Sequence, residues 1–298
     1  MPLPPRPGGT PARAGAVDAA PPAMPAREFQ FTATDFDKVR KLIHAHAGIS
    51  LSPAKQDMVY SRLARRLRAC GDRSFADYLR RIETDRGEWE TFTNSLTTNL
   101  TSFFREAHHF EILAERLRAA GGRRDLTIWC TAASTGEEAY SIAITACEAF
   151  SSLNPPVRII ASDIDTQVIA QGRAGVYRDD RIERMAPARV QRFFLKGTGT
   201  QAGQVRVRPE LQRLIEFKRI NLLDTRYALG GPVDFIFCRN VMIYFDKPTQ
   251  RAILMRFAPL LRPDGLLFAG HSESFLHSAD LFRSLGRTVY ERNHDVRA

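Results

Sequence analysis

From Asp125 onward, short runs of branched and aromatic residues recur along the chain: "DLTIWC", "VRIIASDID", "LIEFKRINLLD", "VDFIFCRN" and "GLLFAG", with "RTVYER" as a last one. Helical patterns separate them, such as the one through Ile142, Ile144 and Cys147. A strand that is apolar almost throughout has no face to show to water, so each of these runs needs cover on both sides. Such strands alternating with helices predict an α/β fold with a parallel sheet between two helical layers. The segment "RFFLKGTGTQAGQVRVRPELQRLIEF" breaks the rhythm. Its two strand-like runs around a glycine-bearing loop predict a β-hairpin inserted between the second and third core strands, at about residues 190–216.

Residues 28–98 read as helices instead. "FTATDFDKVRKLIHAHAGI" carries apolar residues at helical spacing, with Thr34 or Asp35 as candidate caps and Gly48 as a stop. The next helix stripes Val59, Leu63 and Leu67 and ends at Gly71, while Arg62, Arg65, Arg66 and Arg68 fan around the rest of it. Eight basic residues stand against three acidic ones between Lys55 and Arg81. That face reads either as a solvated surface or as a docking face for an acidic partner, which the net charge of +10 also favours. Residues 1–27, rich in proline, alanine and glycine and without the apolar core of a secretory signal, predict a disordered tail. No apolar stretch reaches the roughly 20 residues of a membrane span, which predicts a soluble protein. Cys70, Cys130, Cys147 and Cys238 form no C-x-x-C pair, which predicts a reducing compartment and no cysteine-based zinc site.

The loop after the first strand, "CTAASTGEEAY", stands where nucleotide folds place a glycine-rich phosphate turn, yet it has one glycine and two glutamates. Two carboxylates there would repel a phosphate. Ser134 and Glu137 have the S-x-x-E spacing of a capping box, which assigns Glu137 to the helix start. Glu138 is left either to favour the helix dipole or to meet a positively charged ligand. At the end of the second strand, Asp163 is placed to accept ribose hydroxyls, with Asp165 capping the next helix. If Glu138 meets the ligand, a ribose and a cation in one molecule narrow the field. S-adenosylmethionine has a sulfonium, an ammonium, a ribose and no phosphate, whereas NAD would need its pyrophosphate cradled by a more glycine-rich turn.

Arg105, in "TTNLTSFFREAHHF", has the chemistry to clamp a carboxylate, although alone it reads as a surface residue. His108 and His109 are adjacent, which suits no metal spacing and predicts structural roles, as for His44 and His46. "CRNVMIYF" puts Arg239, Asn240 and Tyr244 beyond a strand's carboxyl end, where ligands of open α/β sheets bind. Many enzymes that methylate nucleic-acid amino groups carry an acidic or amide residue followed by Pro-Pro-aromatic at that place, and its absence counts against a nucleobase amine as acceptor.

Together "LTTNLTSFFREAHHF", "AASTGEEAYSIAI", "ASDID", "RINLLD", "DFIFCRNVMIYFD" and "PDGLLFAGHSES" resemble the CheR-type chemotaxis receptor glutamate O-methyltransferases, over about Phe31 to Tyr290. The resemblance implies a small all-helical domain (28–98) joined to a doubly wound, Rossmann-like class I S-adenosylmethionine methyltransferase domain (99–298) that carries an antiparallel β-subdomain. It implies methyl transfer to glutamates of chemoreceptors in the cytoplasm at membrane receptor arrays, with S-adenosylhomocysteine as product, no metal and no membrane insertion. By the same resemblance, Asn99, Thr101 and Arg105 approach the methionine end of the cofactor. Glu138 binds its amino group, Asp163 its ribose, and Asn221 with Leu222 its adenine. Arg105, Arg239 and Tyr244 are the implied catalytic residues, with Arg239, Asn240 and Tyr244 lining the site of transfer. Arg62, Arg65, Arg66 and Arg68 correspond to a receptor-docking helix, and the hairpin to a version that binds a receptor's C-terminal peptide. Ala139 departs from the family, where proline often follows the two glutamates. Two other readings compete: a methyltransferase acting on another protein or a small acid, and a non-enzymatic basic binding module.

Overall fold

The computed structural model describes residues 27–293, so the expected disordered tail lies outside the described residues except for Arg27. Arg27 is already packed: its guanidinium lies 4.8 Å from the centroid of the Tyr60 ring and pairs with Asp57.

Four helices form the first unit: α1 (Ala33–Ala47), α2 (Gln56–Cys70), α3 (Phe75–Thr84) and α4 (Arg86–Leu96). The cap of α1 is Thr32 rather than Thr34 or Asp35. Its hydroxyl accepts from the Asp35 N–H while the Asp35 carboxylate accepts from the Thr32 backbone, a reciprocal pair that fixes the helix start. Gly48 and Gly71 end α1 and α2 with φ of 70° and 72°. Val39, Ile43, Val59, Leu63, Leu67, Phe75 and Phe92 close around one another as a separate core.

After α5 (His108–Ala120) the chain builds β1 (Leu126–Cys130), α6 (Glu137–Ala149), β2 (Val157–Asp163) and α7 (Thr166–Ala174). A side branch follows: β3 (Val176–Arg178), α8 (Pro187–Phe193), β4 (Phe194–Lys196), β5 (Gln204–Val207) and α9 (Pro209–Gln212). The main sheet resumes with β6 (Ile215–Arg219), β7 (Val233–Cys238), α10 (Lys247–Leu260), β8 (Leu261–Ala269), β9 (Phe282–Gly286) and β10 (Val289–Arg292). Its strand order is β6-β2-β1-β7-β8-β10-β9, with the first five parallel and β10 antiparallel to both β8 and β9. The predicted strands are all present, and the antiparallel edge adds β9, which the sequence reading did not include.

Side-chain alternation explains the continuous apolar runs. Leu126, Ile128 and Cys130 of β1, with Phe235 and Phe237 of β7, face the core under α5 and α6. Trp129, Ile236 and Cys238 face the opposite core under α10, against Ile253, Leu254 and Phe257. Both faces are covered, so both registers of the period-2 strand are apolar.

The expected hairpin is β4–β5, and β3 joins it as a third antiparallel strand in the order β3-β5-β4. The small sheet therefore begins upstream of the segment expected for it.

The helical unit lies across the carboxyl end of the main sheet. The Ser50 N–H donates to the Tyr244 carbonyl (2.8 Å), Asn221 Nδ2 donates to the His46 carbonyl (2.6 Å), and Asn99 Nδ2 donates to Asp165 (2.8 Å). A Cβ on Gly48 would come within 3.0 Å of Leu223 and Phe245, so a glycine is needed there both to turn the chain and to let the two units touch. Among the described residues, no helix is long and apolar enough to cross a membrane.

Candidate active site

A cavity of about 480 Å3 opens where the helical unit meets the carboxyl ends of β1, β2, β6 and β7. It spans the place where the strand order reverses between β1 and β7, the usual ligand crevice of an open α/β sheet. Asn99, Thr101, Arg105, Glu138, Asp163, Asn221, Leu222, Arg239, Asn240 and Tyr244 all line it. The sequence reading drew these residues from five separate segments, and the fold brings them around one cavity.

The loop after β1 is held by its neighbour strand. The Ala133 N–H donates to the Ser162 carbonyl (2.8 Å) and the Ser134 N–H to Asp163 Oδ2 (2.9 Å). Asp163 also accepts from the Asp165 N–H (3.1 Å). Burial dominates over these bonds and pushes the Asp163 carboxyl up to about 6. Asp165 caps α7 through the Gln167 and Val168 N–H groups, as its position in the sequence predicts.

The expected capping box is not formed. The N-cap of α6 is Gly136 at φ 98°, which makes Glu137 the first helical residue rather than the third and leaves Ser134 outside the helix. Ser134, at φ 49°, donates its hydroxyl to the Asn99 carbonyl (2.9 Å) instead. Glu137, 1% exposed, turns away from the cavity to meet the Thr135 hydroxyl and Arg181.

Glu138 faces the cavity, but it is already engaged. Arg239 Nη1 donates to its Oε2 (2.6 Å), and the Cys130 thiol donates to its Oε1 (3.3 Å). Arg239 is itself buried, donates to the Arg105 carbonyl, and lies 3.4 Å from Glu106. The two terminal nitrogens of Arg239 thus meet Glu138, the Arg105 carbonyl and Glu106, while its buried Nε has no hydrogen-bond partner in the protein. Arg105 keeps part of its side chain open and anchors one nitrogen on the Leu100 carbonyl (3.1 Å). Tyr244 is half-buried at the end of the turn Met242–Tyr244. Asn221 gives both ends of its amide to protein groups, the His46 carbonyl and the Leu223 N–H, so its side chain builds the wall; Leu222 and Ile220 supply apolar surface beside it.

Two carboxylates at this edge were quoted within motifs but given no role. Glu273 is 5% exposed and accepts from the N–H groups of Asn240, Val241, Met242 and Gly270, tying the end of β8 to the loop after β7. Its burial raises its pKa despite the four bonds. Asn240 sits at φ 58°, a conformation this clamp holds in place. Glu106 accepts from Asn240 Nδ2 (3.3 Å) and lies 3.0 Å from His271 Nδ1. Burial opposes its charge, but His271 and Arg239 hold its carboxyl at about 2. In sequence each of the two is a lone acid in a short polar stretch, "REAHH" and "HSES", which says nothing of its partner. His109 is fully buried against the Arg287 carbonyl, and burial with the Arg239 charge pushes it down to about 4, a structural role as the adjacent-histidine spacing predicts.

The arginines of α2 divide. Arg66 makes a two-pronged contact with buried Glu88 (3.0 and 2.7 Å), and Tyr78 donates to the same carboxylate (2.8 Å). Arg62 donates to the Thr97 carbonyl (2.6 Å) at the end of α4. Both therefore hold helices together, a correction to a docking face of four. Arg65 and Arg68 are exposed, and Arg68 pairs with Glu28 (2.8 Å).

The residues fit the ligand read from the sequence. The cavity lies within the ~300–1,000 Å3 usual for small-molecule sites. Thr131 lines it beside Glu138 and Asp163. Glu138 and Asp163 keep lone pairs for donors, and no phosphate-binding turn is present in the loop between them. Among the described residues, no cluster of His, Cys, Asp or Glu is arranged to hold a metal ion.

Comparison with known proteins agrees over most of the chain. The family profile "CheR methyltransferase, all-alpha domain" matches residues 34–97, and "CheR methyltransferase, SAM binding domain" matches residues 99–291. Chemotaxis protein methyltransferase 2 of Pseudomonas aeruginosa is 54% identical over 270 residues, covering 90% of this chain and 96% of the relative. The chemotaxis protein methyltransferase of Escherichia coli is 50% identical over 262 residues, covering 87% and 91%. A solved magnesium protoporphyrin IX methyltransferase from Synechocystis is a far more distant likeness, at 17% identity and a TM-score of 0.31, covering 65% of this chain and 64% of that one.

Proposed function

The chain belongs to the CheR methyltransferase family and has its S-adenosylmethionine-binding domain, and on that premise we propose that it esterifies specific glutamate side chains of chemoreceptors for sensory adaptation. The observation that carries the reading is the cavity itself. Its interior holds two acids, Glu138 and Asp163, while its rim exposes Leu100 (78%), Ile243 (50%) and the cations Lys55 and Arg105. Acids inside suit a cationic cofactor, and an apolar, basic rim suits an acidic side chain presented on a protein helix.

Bound S-adenosylmethionine supplies an electrophilic methyl group on a sulfonium. Asp163 would accept its ribose hydroxyls, and Glu138, oriented by Arg239, its ammonium. Thr131, Asn99, Thr101 and Arg105 line the region for the methionine end, and Leu222 with the Asn221 backbone forms the wall for the adenine. Asn240 and Tyr244 line the transfer region, where the Tyr244 phenol would donate a hydrogen bond to the incoming carboxylate. That acceptor, with a reference pKa of about 4.3, is already ionised at neutral pH, so no side chain needs to serve as general base. What the protein contributes is alignment, worth roughly 7–11 kcal/mol when the geometry is good, and the exclusion of water by the helical unit from two charges that cancel on transfer.

Arg65 and Arg68 form the receptor-facing part of α2. The inserted sheet is the site for a receptor's C-terminal peptide, whose tethering would raise the local concentration of acceptor glutamates. The enzyme would act in the cytoplasm at membrane receptor arrays. The test is transfer of labelled methyl to purified receptor fragments with and without their C-terminal tail. Base-labile label on glutamate supports the reading; acid-stable label, or label on nucleic acid, overturns it.

A further inference from the structure

We propose that Tyr177 and Arg181, contributed by the inserted small sheet, are positioning residues for the cofactor cavity. The proposal rests on the cavity being the S-adenosylmethionine site. Two walls of that cavity are the segment carrying Asn99, Thr101 and Arg105 and the loop from Thr131 to Glu138. Neither is held by the main sheet alone.

Arg181, in the turn Asp179–Ile182 after β3, reaches both walls with one guanidinium nitrogen. It pairs with the buried Glu137 and donates to the Thr101 carbonyl (2.8 Å). Tyr177, on β3, donates its hydroxyl to the Thr135 carbonyl (2.7 Å). A Cβ on Gly136 would stand 2.9 Å from that same hydroxyl and 3.0 Å from the Gly172 Cα, so the loop is pressed onto β3 and α7 with no room for a side chain. The Tyr177 ring also packs edge-on against Phe103 at 5.1 Å, and Phe103 packs on Phe194 of β4 at 5.5 Å. Phe103 lies two residues from Thr101 and two from Arg105. Glu137 is adjacent to Glu138, so its ion pair with Arg181 sets the first turn of α6 and the direction in which Glu138 points. The small sheet thus fastens the two walls to each other.

The test uses the full chain and S-adenosylhomocysteine as the calorimetric probe. Arg181→Met removes both contacts and should weaken binding about tenfold or more; Tyr177→Phe keeps the ring, loses one hydrogen bond, and should weaken it about fivefold. Arg181→Lys keeps the charge beside Glu137 and should recover part of the loss. In turnover, KM for S-adenosylmethionine should rise while kcat at saturating cofactor stays within about twofold, because the reacting groups themselves are untouched. Affinity within about twofold of the native chain in folded Arg181→Met and Tyr177→Phe overturns the proposal, as does a loss that only follows the folded fraction in thermal unfolding. Binding is read without any acceptor, so a chain that binds S-adenosylhomocysteine normally but esterifies no receptor would refute the receptor assignment and leave this inference standing.

Discussion

The arginines of α2 and the glutamates that open α6 are both runs of like charge, and the fold divides each run between partners in a different way. On α2 the division follows helix geometry. Arg62 and Arg66 are four apart and share the face turned to α4, while Arg65 and Arg68 are three apart on the solvent side. At α6 the two glutamates are consecutive, and both are buried. They separate because the helix starts at Gly136, which turns Glu137 toward Arg181 and Glu138 toward Arg239 and the cavity. A period explains the first case; the second requires knowing what surrounds the helix end.

The largest effect is expected where a buried charge loses its nearest ion partner. Glu138→Gln should weaken cofactor binding at least a hundredfold in calorimetry and, by leaving buried Arg239 with Glu106 at 3.4 Å as its remaining carboxylate neighbour, lower stability by roughly 1.5–3 kcal/mol. Glu137→Gln, which keeps the cavity-facing acid, should weaken binding much less; equal losses would erase the distinction between the two.

On α2, Arg66→Ala should lower unfolding stability by about 2 kcal/mol in denaturant titration, less than a fully buried pair because the arginine is part-exposed. Arg65→Ala should stay within about 0.5 kcal/mol of the native chain.

The pH dependence of the site comes next. A ligand that needs ionised Asp163 should bind about tenfold more tightly at pH 7.5 than at pH 5, with the rise centred near the raised carboxyl value of about 6. In Asp163→Asn that slope should vanish. The sign for folding is opposite: the folded state holds this proton more tightly than the unfolded chain, so the contribution of Asp163 to stability is present below about pH 4 and is lost as pH rises through 6. His109 acts the other way. Its neutral form is favoured on folding, so stability falls as pH drops from about 6.5 toward 4, and the two contributions partly cancel until one residue is replaced.

The smallest effect on the molecule itself is expected for the double charge reversal Arg65→Glu with Arg68→Glu. Cofactor binding and the melting midpoint should be unchanged while affinity for receptor fragments, measured at low salt, falls severalfold. Unchanged receptor affinity would move the docking face off α2.

What the sequence determined by itself follows from short-range rules. Strands apolar in both registers, as "LLFA" is, require cover on both faces, and glycine stops such as Gly48 and Gly71 mark helix ends wherever they pack. The carboxyl ends of those strands then locate Asp163, Arg239, Asn240 and Tyr244 at one edge. Only the tertiary structure decided the rest, because it depends on groups far apart in the chain. The S-x-x-E spacing of Ser134 and Glu137 satisfies a capping rule, yet a positive-φ glycine between them and Arg181, 44 residues on, override it. Arg239 reads as a free cation until Glu138 and Glu106 are found around it, and Glu273 reads as a loop acid until four backbone N–H groups converge on it. In each case the burial that makes the charge costly also makes its partner decisive, and partners at that range leave no pattern in the local sequence.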